Sequence, residues 1–148
     1  MTLTIRDARS TDAGKIAAIM TEANGAPPWK PHLHTGAQDV AHCGKLIDRG
    51  WVRVAEGEDG RILGFIARDG EEIDALYVAA PERGHGVGVA LLEDAKAAVK
   101  RLELWTFQLN TGAQKFYERE GFTELKRTDG ATNQEKLPDV RYGWEAKP

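Results

Sequence analysis

The chain is short of what marks a protein for export, membranes or nucleic acid. It has one cysteine, Cys43, in 148 residues, so no intrachain disulfide can form, which fits a reducing cytoplasm. No apolar run approaches the length that crosses a bilayer. The opening residues, MTLTIRDARS, lack the apolar core of an export signal. Lysine and arginine form no cluster and the formal net charge is −3, which argues against a nucleic-acid partner. Metal-ligand spacing is missing too. His32, His34, His42 and Cys43 lie close in sequence, but His42 and Cys43 are adjacent on a helical pattern and point apart. The expectation is a cytoplasmic protein with no membrane, nucleic-acid or metal partner.

What is present is an ordinary globular composition, 41% hydrophobic and 29% charged, in a length that suits a single domain over residues 1–148. Leu3 and Ile5 alternate with polar residues and predict a strand. Ile16, Ile19, Met20 and Ala23 recur at helical spacing, after Ser10 and Thr11, either of which can cap. The stretch NGAPPWKPHLH, with three prolines and a glycine, breaks the pattern as a loop. Thr35 followed by Gln38 is a capping-box signature for a second helix, with Val40, Cys43, Gly44 and Ile47 on one face. WVRVAE, RILGFIAR and EEIDALYVAA read as a three-strand meander, with Asp69-Gly70 as its hairpin turn. A helix from Val87 to Lys100, the strand LELWTF, the helix NTGAQKFYERE and the strands FTELKRT and VRYGWEA complete the chain. The order β-α-α-β-β-β-α-β-α-β-β, with antiparallel hairpins and one βαβ crossover, predicts an α+β fold.

One segment spends stability without visible structural return. RGHGVG, residues 83–88, places three glycines at a helix start, where each costs about 0.5–1 kcal/mol relative to alanine. A strand that runs through a glycine turn into a helix makes an anion site. The first helical N–H groups lack internal partners, and glycine lets a phosphate approach the backbone. Position 89 is valine, so G-x-G-x-x-G is not met, and no Gly-Lys-Ser/Thr follows.

The surrounding LYVAAPERGHGVGVALLE resembles motif A of the GNAT superfamily of N-acetyltransferases, matched at Arg83, Gly86 and Gly88. A second landmark of that family stands at Asn110, Ala113, Tyr117, Gly121 and Phe122. The two motifs lie between Glu71 and Phe122. The resemblance implies a mixed, mostly antiparallel sheet of about seven strands flanked by about four helices, and an acetyl-CoA cosubstrate. It implies a pyrophosphate on the backbone of Arg83, Gly84, His85, Gly86, Val87 and Gly88, and a pantetheine arm along Leu76, Tyr77 and Val78. It also implies that Asn110 reaches the pantetheine, that Tyr117 is the general acid beside the sulfur, and that the Val78 N–H receives the oxyanion.

Acetyl transfer needs a neutral amine, and an alkyl amine is neutral in only about one molecule in a few thousand at pH 7. A base must therefore assist. Strand alternation puts Glu72, Asp74, Leu76 and Val78 on one face, which makes Glu72 and Asp74 both candidates. Trp29 and His34, in the proline-rich loop, and Asn133 and Glu135, in the last β–β connection, are candidates for binding an amine acceptor. The expected activity is transfer of an acetyl group to a primary amine of a small molecule or peptide. A non-catalytic CoA-binding sensor of the same fold is the alternative, and the family leaves a homodimer open.

The glycine turn generates a first prediction. Acetyl-CoA or CoA at a hundred times its dissociation constant should raise stability by about 2.7 kcal/mol, visible in a thermal-shift titration. An unchanged Tm at millimolar ligand would remove the phosphate reading of RGHGVG.

Overall fold

The computed structural model describes residues 2–148. Among them, seven strands form one sheet in the order β1-β2-β3-β4-β5-β7-β6, with four α-helices. The strands are β1 (Thr4–Asp7), β2 (Val52–Glu56), β3 (Ile62–Asp69), β4 (Glu72–Val78), β5 (Arg101–Phe107), β6 (Thr123–Thr128) and β7 (Asp139–Glu145). The helices are α1 (Ala13–Gly25), α2 (Gly36–Asp48), α3 (Val87–Ala98) and α4 (Thr111–Arg119). Every neighbouring pair is antiparallel except β4 and β5, which are parallel across the α3 crossover. The element order is the one the hydrophobic periodicity predicts.

The sheet is covered on both faces by different helices. Ile16, Ala17, Ile19 and Met20 of α1, with Cys43 and Leu46 of α2, pack on Val52, Val54, Phe65 and Ala67. Val87, Leu91, Leu92 and Ala95 of α3 pack on the opposite face, against Leu63, Leu102, Leu104 and Tyr142. Burial pushes the Cys43 thiol up to about 11, with Asp39 adding to the shift, so it packs as a small apolar group.

Local chemistry sets the helix boundaries. Thr35 Oγ1 accepts from the Gln38 N–H at 3.1 Å while Gln38 Oε1 accepts from the Thr35 N–H at 2.8 Å, the expected capping box. The predicted buried face of α2 is only partly right. Val40 is 42% exposed, and Asp39 is buried in its place, accepting from Thr21 Oγ1 at 2.6 Å. That bond ties α2 to α1, and periodicity misses it because it reads apolar residues alone. The β3–β4 turn also shifts by one residue. Asp69 pairs with Glu72, so Gly70 and Glu71 form the turn, with Gly70 at φ +61°.

Two contacts hold the β1–β3 half in place. Asp12, 4% exposed, accepts from the Arg6 guanidinium at 2.8 and 3.3 Å and from the Arg9 N–H at 2.8 Å. The Arg6 hydrogen bond holds its carboxyl below the usual range. Gly64 lets α3 lie close on β3: a Cβ there would stand 2.8 Å from the Tyr77 carbonyl oxygen and 3.1 Å from Val87 Cγ1.

Gly64→Ala should therefore cost about 1–3 kcal/mol from overpacking, read as a lower urea midpoint at unchanged slope. The Asp12 contribution should be complete above about pH 5, where the unfolded carboxyl is almost fully ionised, and disappear as pH falls through its depressed native value. A comparison of Asp12→Asn with the parent should show their acid unfolding curves converging at low pH.

Candidate active site

β4 and β5 begin side by side and then part. Their pairing among the described residues is Glu72 opposite Glu103, with the Glu103 N–H donating to the Glu71 carbonyl at 2.9 Å. On its other edge the second half of β4 stays paired with β3: Tyr77 lies opposite Phe65, and the Ala79 N–H donates to the Leu63 carbonyl at 2.8 Å. In an antiparallel ladder these alternate residues turn their polar groups toward β3, so Leu76 and Val78 turn theirs toward the gap. A cavity of about 900 Å³ opens there, within the usual range for a small-molecule site. It is bounded by β4, by residues 104–107 of β5, by α4, by the glycine turn and by Trp29 and Lys30.

At one end of the gap stands the turn before α3. Gly84 and Gly86 have φ of +81° and +86°, the left-handed conformation that L side chains resist. Among the described residues, the N–H groups of Gly84, Gly86, Val87, Gly88 and Val89 meet no backbone acceptor. They form a concave set of donors at a helix N-terminus. The Arg83 and His85 N–H groups do not join it, because they donate to Ala80 and Glu82 carbonyls at 3.3 Å each. The Arg83 side chain reaches back instead. Its Nε donates to the Val78 carbonyl at 3.2 Å and its Nη2 pairs with Glu22 of α1 at 2.8 Å. The His85 side chain is exposed and faces Glu82 rather than the cavity.

Tyr117 of α4 lines the cavity at 7% exposure, edge-on to Phe116 and Phe122. Among the described residues its hydroxyl has no hydrogen-bond partner, yet it is not a sealed, unsatisfied group, so it opens to the cavity. Burial raises its pKa well above the usual phenol range, with Tyr77 adding to the effect. The phenol therefore stays protonated and can donate. Asn110 also lines the cavity, where its Oδ1 caps α4 by accepting from the Ala113 N–H at 3.0 Å.

The opposite mouth of the gap is built by the proline-rich loop. Trp29 packs edge-on to Phe107 of β5, with ring centroids 5.9 Å apart. Beside it, Lys30 Nζ stands 5.1 Å from the Phe107 ring centroid and donates to Asn24 Oδ1 at 2.6 Å. The Tyr77 hydroxyl donates to the same oxygen at 3.2 Å. Burial pushes Tyr77 up to about 12, with Asp74 and Glu135 adding to the shift. Burial also lowers the Lys30 pKa, and Glu135 opposes it.

Besides His85, four expected site residues line no part of the cavity: Glu72, His34, Asn133 and Glu135. β4 bulges at Asp74, since Ala75 pairs with Ala67 and Ile73 with Arg68. The bulge breaks the alternation that grouped Glu72 with Leu76 and Val78. Ile73 joins those two in the α3-side core, while Asp74 lines the cavity. Glu72 turns to the other face, where Arg141 grips both its oxygens at 2.6 and 2.8 Å. His34 is exposed on its loop and lines no part of the cavity. Asn133 braces its own loop, donating to the Leu137 carbonyl at 2.7 Å and accepting from the Leu137 N–H at 3.3 Å. Sequence reading had no place for Lys30, Asn24 or Phe107. The available signal was a lysine beside Trp29 between prolines, where a rigid loop fixes a long side chain.

Asn110→Ala should lower stability by about 1 kcal/mol through loss of the α4 cap, measured by urea unfolding without ligand.

The chain matches the model of the acetyltransferase (GNAT) domain over residues 48–124. It is 33% identical over 135 residues to the peptidyl-lysine N-acetyltransferase YjaB of Salmonella typhimurium, covering 87% of this chain and 89% of that protein. It is 35% identical to the peptidyl-lysine N-acetyltransferase YiaC of Escherichia coli, covering 80% and 82%. The solution structure of apo YjaB from Escherichia coli superposes with a TM-score of 0.82 at 22% identity, over 99% of this chain and 100% of that one. The acetyl-CoA complex of yncA from Salmonella typhimurium superposes at 0.73 and 18% identity, over 100% and 96%. With the family's two motifs on the walls of one cavity, the chain belongs to the GNAT family of N-acetyltransferases.

Proposed function

We propose that this N-acetyltransferase moves the acetyl group of acetyl-CoA directly to the side-chain amine of a polypeptide lysine. The observation that carries the chemistry is the protonated, unpartnered Tyr117 hydroxyl inside the gap between β4 and β5. The acceptor class draws on the relatives named for peptidyl-lysine acetylation, of which this chain covers more than four-fifths.

The diphosphate of the donor lies on the free N–H groups of Gly84 and of Gly86 to Val89, stabilised by the α3 dipole. The pantetheine amides complete the open edge of β4 at Leu76 and Val78, with Asn110 beside them. The thioester carbonyl then meets the Val78 N–H. The acceptor enters from the Trp29 side, loses a proton toward Asp74 or Glu135, and attacks the carbonyl carbon. Asp74 is the better base candidate of β4, because Arg141 holds Glu72 on the other face. As the C–N bond forms, negative charge gathers on the carbonyl oxygen, where the Val78 N–H stabilises it. The C–S bond breaks, and Tyr117 gives its proton to the departing thiolate. With its one cysteine buried as a thiol, the enzyme suits the reducing cytoplasm.

Tyr117→Phe should lower kcat by about 10²–10⁴-fold while leaving acetyl-CoA affinity nearly unchanged. Because burial raises the phenol pKa, the loss should be similar from neutral to alkaline pH. Steady-state kinetics on a lysine peptide, with calorimetric titration of acetyl-CoA, reads both. Parent-like kcat in the variant would remove Tyr117 from the reaction.

A further inference from the structure

Among the described residues, Lys30 is the one lysine that lines the cavity. Its ammonium bridges the two walls of the gap. On the β5 side Nζ faces the Phe107 ring at 5.1 Å. On the β4 side it donates to Asn24 Oδ1 at 2.6 Å, which also accepts from the Tyr77 hydroxyl at 3.2 Å. Among the described residues it has no ion-pair partner within salt-bridge distance, although Glu135 is near enough to act on it electrostatically. Surface lysines keep water around the ammonium, and this one exchanges much of it for an amide oxygen and an aromatic ring. Burial lowers its pKa toward the neutral amine, the form a thioester needs, while the amide oxygen and the ring hold the ammonium in place until it sheds its proton.

We propose that Lys30 is a self-acetylation site, an internal acceptor presented to the enzyme's own acetyl-CoA. The inference rests on the lysine acceptor and donor path proposed above. In the step, Lys30 Nζ sheds a proton toward Glu135 and solvent, and its lone pair attacks the thioester carbonyl carbon. The new C–N bond replaces the C–S bond, and the CoA sulfur leaves with the proton of Tyr117. The product is an amide, without charge, in the acceptor mouth. It cannot reproduce the ammonium's contact with Phe107, so the acceptor preference of the modified enzyme differs from that of the unmodified one.

The test incubates the unmodified full chain with acetyl-CoA alone and follows each lysine by peptide mass mapping. Lys100 and Lys115, both exposed, report chemical background. A positioned amine should react at least about a hundredfold faster than these, at a rate independent of protein concentration. Lys30→Arg should carry no acetyl mass at position 30, and Tyr117→Phe should slow the Lys30 reaction while leaving Lys100 and Lys115 unchanged. Acetylation of Lys30 at the background rate, or at a rate that rises with protein concentration, overturns the inference. A parallel incubation with a lysine peptide separates the two readings. An acetylated peptide with unmodified Lys30 refutes self-acetylation alone, and an untouched peptide with acetylated Lys30 refutes the peptide acceptor alone.

Discussion

The whole architecture turns on a pairing that stops early. β4 and β5 are parallel neighbours that meet at Glu72 and Glu103 and then diverge. An unmade ladder in the middle of a sheet is costly, because each buried backbone group needs a partner. The fold accepts that cost by opening the unpaired edge to a cavity rather than sealing it. α3 and α4 cover one side of the divergence, and the Trp29 segment covers the other. The donor path and the acceptor mouth proposed above thus meet at one point from opposite sides of a single sheet. The glycine turn lies where it does because the β4 chain must leave the sheet there and enter α3.

The parts of this arrangement that were legible in the sequence are those in which backbone conformation dictates residue type. Gly84 and Gly86 need positive φ, which singles them out in any sequence that turns this way into a helix. Asn110 had to be a small polar residue to cap α4. Tyr117 follows from helical spacing and the motif around it. The apolar periods predicted all seven strands and four helices in order, because each element buries one face.

What stayed hidden depends on contacts and backbone irregularities that no apolar period records. A single extra residue in β4 reversed the side on which Glu72 lies, and no period-two pattern contains that information. Asn133 looked like a free polar group but spends its amide on Leu137, four residues on. His34 and Lys30 share one loop, and only tertiary packing of Trp29 on Phe107 decides which of them turns inward. Asp39 was read past because a buried carboxylate on a helix is the rarer outcome, here made tolerable by Thr21.

The early end of the β4–β5 ladder has a consequence for the life of the protein in the cell. The strands on either side are two locally paired groups, β1 to β4 and β5, β7 and β6, and the seam between them carries few hydrogen bonds of its own. A ligand that lays its amides along β4 supplies part of the missing ladder. The native state is then favoured by mass action in proportion to donor supply, and the fraction open to proteases falls with it. On the donor path proposed above, the enzyme is longest-lived when its acyl thioester is abundant, so its lifetime follows donor supply without any dedicated sensor.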